Sequence, residues 1–215
     1  MGLGLLVWAK ANAVDVKGSV RSDETPKEGG IEAVRAPYWQ EWNGFIEPRK
    51  ASVDMTREVA VVLVGNVPMK DAVVVTLSNG TLTPSTIVAQ HNAPLRIRNQ
   101  DDFTHQLFCD KLKEFDAIET SSGQSRELTL LQTGYFTVGD RLAPYVQGFL
   151  HVLPKVSAIA TPNADGTYVF KDINPGTYTL KVFRGAFEMS SSGLEVKDSR
   201  EVVVDPIAVD AKAKK

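Results

Sequence analysis

Asn163-Ala-Asp165-Gly166-Thr-Tyr168-Val-Phe170 is followed, after a short gap, by Asn174-Pro175-Gly176-Thr-Tyr178-Thr-Leu180-Lys-Val182. In each stretch a turn pair, Asp-Gly or Pro-Gly, precedes a run in which apolar and polar residues alternate. Glycine supplies the positive φ of a tight turn and proline presets its own φ, so each device reads as a turn feeding a half-buried strand. Asp-rich fragments of this kind also occur in calcium loops. No Glu stands at the closing position such a loop needs, and the turn reading is kept.

Working outward, the same signal recurs. Val14 to Val20 alternates with period two. Glu58 to Val64 is β-branched and nearly continuous, the pattern of a strand buried on both faces. Asp71 to Leu77, Thr86 to Val88, Leu95 to Ile97, His105 to Cys109, Glu127 to Leu131 and Tyr135 to Val138 continue the series, and Glu195 to Lys197 and Glu201 to Val204 close it. Helical periodicity is scarce, at most a turn around Asp110 to Phe115. Many short strands punctuated by Gly, Pro, Asn and Asp specify an all-β chain, a Greek-key sandwich or barrel.

The 215 residues allow one large or two small domains, and 43% hydrophobic with 23% charged residues is enough apolar material for a real core. A net charge of −2 offers no basic field for nucleic acid or an anionic membrane. No run approaches the roughly 18 apolar residues of a membrane-spanning helix. One cysteine, Cys109, excludes an internal disulfide framework, and three histidines leave few ways to build a His-rich centre. At the N-terminus, Leu3 to Ala9 is a short apolar run followed by the small-x-small tripeptide Ala11-Asn12-Ala13. Residues 1–13 thus read as the remnant of an export signal, and the mature chain is expected to begin near Val14 in a periplasmic or secreted setting. Residues 211–215 read as a solvated tail.

The Asp-Gly and Pro-Gly pattern resembles the carboxypeptidase-regulatory-like family of small β-sandwiches, and covers about half of such a domain. Val16 to Val20 and Ala60 to Val64 are similar to that family's first strands. The resemblance implies a sandwich split into residues 14–69 and 154–210, with another module inserted at 70–153. Within the insert, Leu82-Thr83-Pro84 and Asn99-Gln-Asp101-Asp102-Phe-Thr-His105 are similar to cupredoxins of the plastocyanin-like, methylamine-utilisation type. That resemblance implies a His105 that would begin a blue-copper site, which needs two imidazoles, a thiolate and a weak axial ligand. Aligned on the family, Gly139 stands at the cysteine position, Leu142 at the second histidine, and Tyr145 or Val146 near the methionine. Only His105 is retained, so the expected cofactor is none and the electron-carrier role does not transfer.

Other donor sets are His105 with His151, or His105 with Cys109, for copper bound in a non-standard way. On a regular strand His105 and Cys109 would lie ~13 Å apart, too far to share one metal. The bland readings are a hydrogen-bonded His105 near the barrel mouth, a His151 on a strand running into core, a buried Cys109 acting as a small hydrophobe, and an exposed turn residue at His91. The adjacent pair Asp101-Asp102 belongs to a turn rather than to acid–base chemistry, because neighbouring strand residues face opposite ways.

Pro37-Tyr38-Trp39-Gln-Glu-Trp42-Asn-Gly44-Phe45-Ile-Glu-Pro48 packs four aromatics into a long connection, residues 37–48. Connections of this length are often functional. Tyr38, Trp39, Trp42 and Phe45 either dock a protein partner, as amphipathic aromatics do, or fold back as a plug. Sugar stacking on Trp39 and Trp42 is a further alternative. No Gly-x-Ser-x-Gly elbow, phosphate loop or His-Glu-x-x-His motif is present. The expectation is a non-enzymatic, exported structural or interaction module with a protein partner in the cell envelope.

Overall fold

The computed structural model describes residues 13–22, 53–65, 67–69, 71–198 and 201–210. The export-signal residues 1–12, the aromatic segment with Tyr38, Trp39, Trp42 and Phe45, and the tail at 211–215 lie outside the described residues. The described chain is all-β, as its sequence pattern requires, and its strands form four four-stranded sheets.

Two sheets enclose one core. The first places β12 (Thr167–Ile173) beside β1 (Val14–Arg21), which pairs in parallel with β15 (Glu201–Val203) and with β16 (Ile207–Ala208). The second runs β11 (Ala158–Ala160), β2 (Val59–Val64), β13 (Gly176–Arg184) and β14 (Phe187–Val196). Between them lie Val14, Val16, Val61, Leu63, Tyr168, Leu180 and their neighbours. Gly166, at φ +83°, makes the turn into β12, and its amide and carbonyl bond Asn163 and Val20. The close approach to the Val20 carbonyl leaves no room for a Cβ there.

The chain segment between β2 and β11 builds the other two sheets around a separate core of Val75, Leu77, Leu95, Phe115, Val138 and Leu150, among others. One sheet orders β4 (Thr81–Thr83), β3 (Val73–Ser78), β6 (Pro94–Asn99) and β8 (Ser125–Thr129); the other orders β5 (Thr86–Gln90), β10 (Gln147–Leu153), β9 (Gly134–Asp140) and β7 (Leu107–Phe108).

The near-continuous apolar run of β2 has its physical reason in this arrangement. Val59, Val61 and Leu63 face the first core, while Ala60 and Val62 face a third cluster with Val88, Val156 and Phe183. One strand thus carries the junction between the two sandwiches. Hydrogen bonds reinforce it: the Thr86 hydroxyl donates to the Glu58 carbonyl at 2.6 Å and accepts from the Gly185 amide at 2.8 Å. The chain enters and leaves the inner sandwich side by side, where Met69 N–H donates to the Val156 carbonyl at 2.6 Å.

The turn expected around Asp110 to Phe115 is present, and two other sequence expectations need correction. The strand expected over His105 to Cys109 shrinks to β7, because His105 makes an isolated bridge to Thr120 and Cys109 N–H turns back to the Phe115 carbonyl. The turn at 110–115 is a 3-10 turn, Lys113–Phe115. A short helix, α1 (Met55–Glu58), capped by the Asp54 side chain on the Thr56 amide, carries no apolar period and gave no helical signal.

Candidate functional site: a carboxylate-flanked histidine

His105 is fully buried, and so is the chemistry around it. Its Nδ1 lies 2.5 Å from Asp140 Oδ2 and its Nε2 lies 3.0 Å from Asp101 Oδ2. Different elements deliver the three groups. Asp101 follows β6, held by its own N–H on the Asn99 side chain. Asn99 is itself fixed by donating to the Phe103 and Thr120 carbonyls. Asp140 ends β9, across from Leu107 in the β7 pairing.

Each carboxylate is also loaded with backbone donors. Asp101 accepts the amides of Asn79 and Gly80 at the β3–β4 turn. Asp140 Oδ1 accepts from Leu142 at 2.8 Å, Ala143 at 3.1 Å and Gln106 at 3.3 Å. Burial alone pushes the Asp101 carboxyl up, but the donors on Gly80, His105 and Asn79 outweigh it and hold it below the ordinary carboxylate range. Through His105 the β3–β4 turn and the loop from β9 to β10 become one hydrogen-bonded unit. Each ring nitrogen of His105 thus has one carboxylate oxygen as its partner.

The arrangement limits the chemistry available. In nucleophilic catalysis a histidine gives one nitrogen to an orienting acid and the other to the nucleophile. Here both nitrogens face carboxylates. The cupredoxin-type ligand set does not fit either. Asp140 occupies the Nδ1 side of His105, Gly139 brings no side chain, Leu142 is 54% exposed, Tyr145 is 70% exposed, and Val146 is buried in the core. Among the described residues no group of three or more His, Cys, Asp or Glu side chains converges on a metal position.

The other donors named from sequence lie elsewhere. His151 pairs with Tyr135 on β9, five residues from Asp140, or roughly 17 Å along the strand. Its neighbours Leu150 and Val152 point into the inner core, whereas His151 stacks on Phe183 at 4.5 Å across the junction and bonds the Gly185 carbonyl through Nε2 at 2.7 Å. Desolvation lowers its pKa, with the Gly185 carbonyl acting the other way. Cys109 is buried in the inner core, and burial pushes its thiol up, away from the thiolate a soft metal needs. His91 lies in a turn, Nε2 at 3.2 Å from the Leu131 carbonyl.

Sequence reasoning placed Asp101 in a turn and passed over Asp140. Thirty-five residues separate His105 from Asp140. The local hint was an acid at the end of an alternating strand, followed by backbone amides it could cap.

No family model matches the chain, and no curated protein matches it in sequence. Among solved structures it is similar to amicyanin from Paracoccus versutus, 18% identical, covering 45% of this chain and 99% of amicyanin at a TM-score of 0.35. It is also similar to the purple cupredoxin from Nitrosopumilus maritimus, 14% identical, covering 38% of this chain and 99% of the other at a TM-score of 0.35.

Proposed function

We propose that this chain is an exported, non-enzymatic β-sandwich protein that acts through protein contacts, as an accessory subunit of a periplasmic or envelope assembly. In this reading a copper-less cupredoxin-like module sits within a split, carboxypeptidase-regulatory-like sandwich. The observation that carries it is the closure of His105 between Asp101 and Asp140. The only buried histidine–carboxylate cluster among the described residues spends its donors and acceptors on tying two loops together. That use supports a structural role for the cluster.

The test is metal content and visible absorption of the purified chain after incubation with Cu(II) and desalting. The expected result is less than one-tenth equivalent of retained copper and no thiolate-to-copper colour. Stoichiometric copper lost in His105→Ala would sink the reading in favour of copper handling at His105. Colour lost in Cys109→Ser would add the thiol to that site.

A further inference from the structure

The inner and outer sandwiches leave a cleft of about 570 Å³ beside their junction. Its apolar wall is built by Leu82, Tyr145 and Phe149 from the inner sandwich and by Phe187 and Met189 from the start of β14. Tyr145 and Phe187 are 70% and 60% exposed. The Tyr145 ring lies against Gly80, where any Cβ would meet it, so the ring is seated rather than free. Arg57, Glu58, Thr81, Gln147 and Arg184 also line the cleft; of its polar groups Ser85 donates to the Arg57 carbonyl, Thr86 bridges Glu58 and Gly185, Arg57 pairs with Glu58, and Arg184 donates to the Val209 carbonyl. A volume in the range of ligand pockets, at the meeting of two modules and with apolar walls, calls for an apolar side chain.

The strand that leaves this cleft supplies the second half of the argument. β14 is ten residues long and stands at the end of its sheet. Natural edges are blunted by shortness, by Lys or Pro, or by cover. Among the described residues the other edges follow that rule. β4, β7, β11 and β15 have two or three residues, β8 carries Arg126 and Glu127, β12 carries Lys171 and Asp172, and β5 is buried. β14 has neither Lys nor Pro; its two charges, Glu188 and Glu195, lie toward its ends, Glu188 is paired with Lys181, and its centre, Ser191-Ser-Gly193, is exposed on both faces. Its one irregularity is a bulge at Met189, between the Val182–Ser190 and Phe183–Glu188 pairs, on the cleft itself.

We infer that β14 and the cleft together form a docking site for an extended peptide segment of a partner protein that carries one bulky apolar side chain. The segment adds as a further strand on β14, and its apolar side chain fills the cleft between Tyr145 and Phe187. Main-chain pairing supplies affinity and the pocket supplies specificity. A second copy of this chain is the poorer occupant. Antiparallel pairing of β14 with itself, centred on the serines, brings Glu195, Val196 or Lys197 of the copy toward the cleft, and Val196 is already buried in its own core. The inference rests on the interaction-module reading, and names the surface it would use.

The test titrates the full chain, ¹⁵N-labelled, with a ten-residue peptide of alternating Thr and Ser holding one central Phe. Two control peptides replace the Phe by Ser or carry N-methyl groups on alternate residues. The expected result is amide shifts confined to β14 and the cleft, with at least tenfold weaker binding of the Ser peptide, no binding of the N-methylated one, and at least tenfold loss in a Tyr145→Ser/Phe187→Ser variant. Absence of shifts at millimolar Phe peptide overturns the site, as does equal binding of the N-methylated peptide. Binding that emerges only when residues 37–48 are deleted makes the chain's own segment the occupant and also overturns it. So does a sedimenting dimer with β14 amides protected. The copper measurement tests the interaction-module reading separately, so failure of one is distinguishable from failure of the other.

Discussion

His105 holds two loops together through its two ring nitrogens. Its removal leaves two buried carboxylates facing each other with no intervening donor. Leaving a buried polar group without its hydrogen-bond partner typically costs about 1–3 kcal/mol for each group so stranded. His105→Ala is therefore expected to lose roughly that much in urea denaturation, with the loop from β9 to β10 losing amide-exchange protection first. A surface role for His105 would leave the urea midpoint unmoved. Tyr168 tests burial in the opposite sense. Its ring is packed across Gly18 and edge-on to Phe170, and its hydroxyl has no partner among the described residues. Burial pushes its phenol up to about 12. Because the folded value lies above the unfolded one, the stability linked to this group is fully present below pH 10 and is lost as pH climbs toward 12. Tyr168→Phe is expected to gain about 1 kcal/mol near neutral pH by removing an unpaired buried hydroxyl. It should also flatten the fall in thermal midpoint between pH 10 and 12.

At the scale of elements, Thr86 at the start of β5 is the tie whose loss is most informative. Its hydroxyl serves Glu58 from the outer sandwich and Gly185 from the β13–β14 turn. Thr86→Val keeps the shape and strands both backbone partners, at about 1–3 kcal/mol for each buried unpaired group. In calorimetry the wild type is expected to melt in one transition, and Thr86→Val in two, as the sandwiches uncouple. A single, merely shifted transition in the variant would mean that the apolar contacts of Val62, Val88 and Phe183 hold the junction alone.

Legibility from sequence followed the same physics. β2 could be read because a strand packed on both faces must be apolar throughout, and the Asp-Gly and Pro-Gly devices could be read because Gly166 and Gly176 take the positive φ that favours glycine. β14 could not be read over Met189 to Gly193. An edge strand exposed on both faces is under no pressure to alternate, and Ser and Gly carry little strand preference. His105 was recognised, but its partner Asp140 was not, since only the folded sheet brings them together.

For the whole molecule, the direction of β1 relative to the last strands matters. β1 runs parallel to β15 and β16, with Asp15 beside Glu201 and Val20 beside Ile207. Tension applied at residues 13 and 210 would pull these neighbouring strands in opposite senses along their length. Their hydrogen bonds would then be loaded together in shear, instead of being peeled apart one after another. Everything between β1 and β15, including the whole inner sandwich and the His105 cluster, lies behind that clamp. A chain held at both ends would thus behave as a mechanical fuse, transmitting load along one pair of strand contacts while the inserted sandwich stays slack until the clamp gives way.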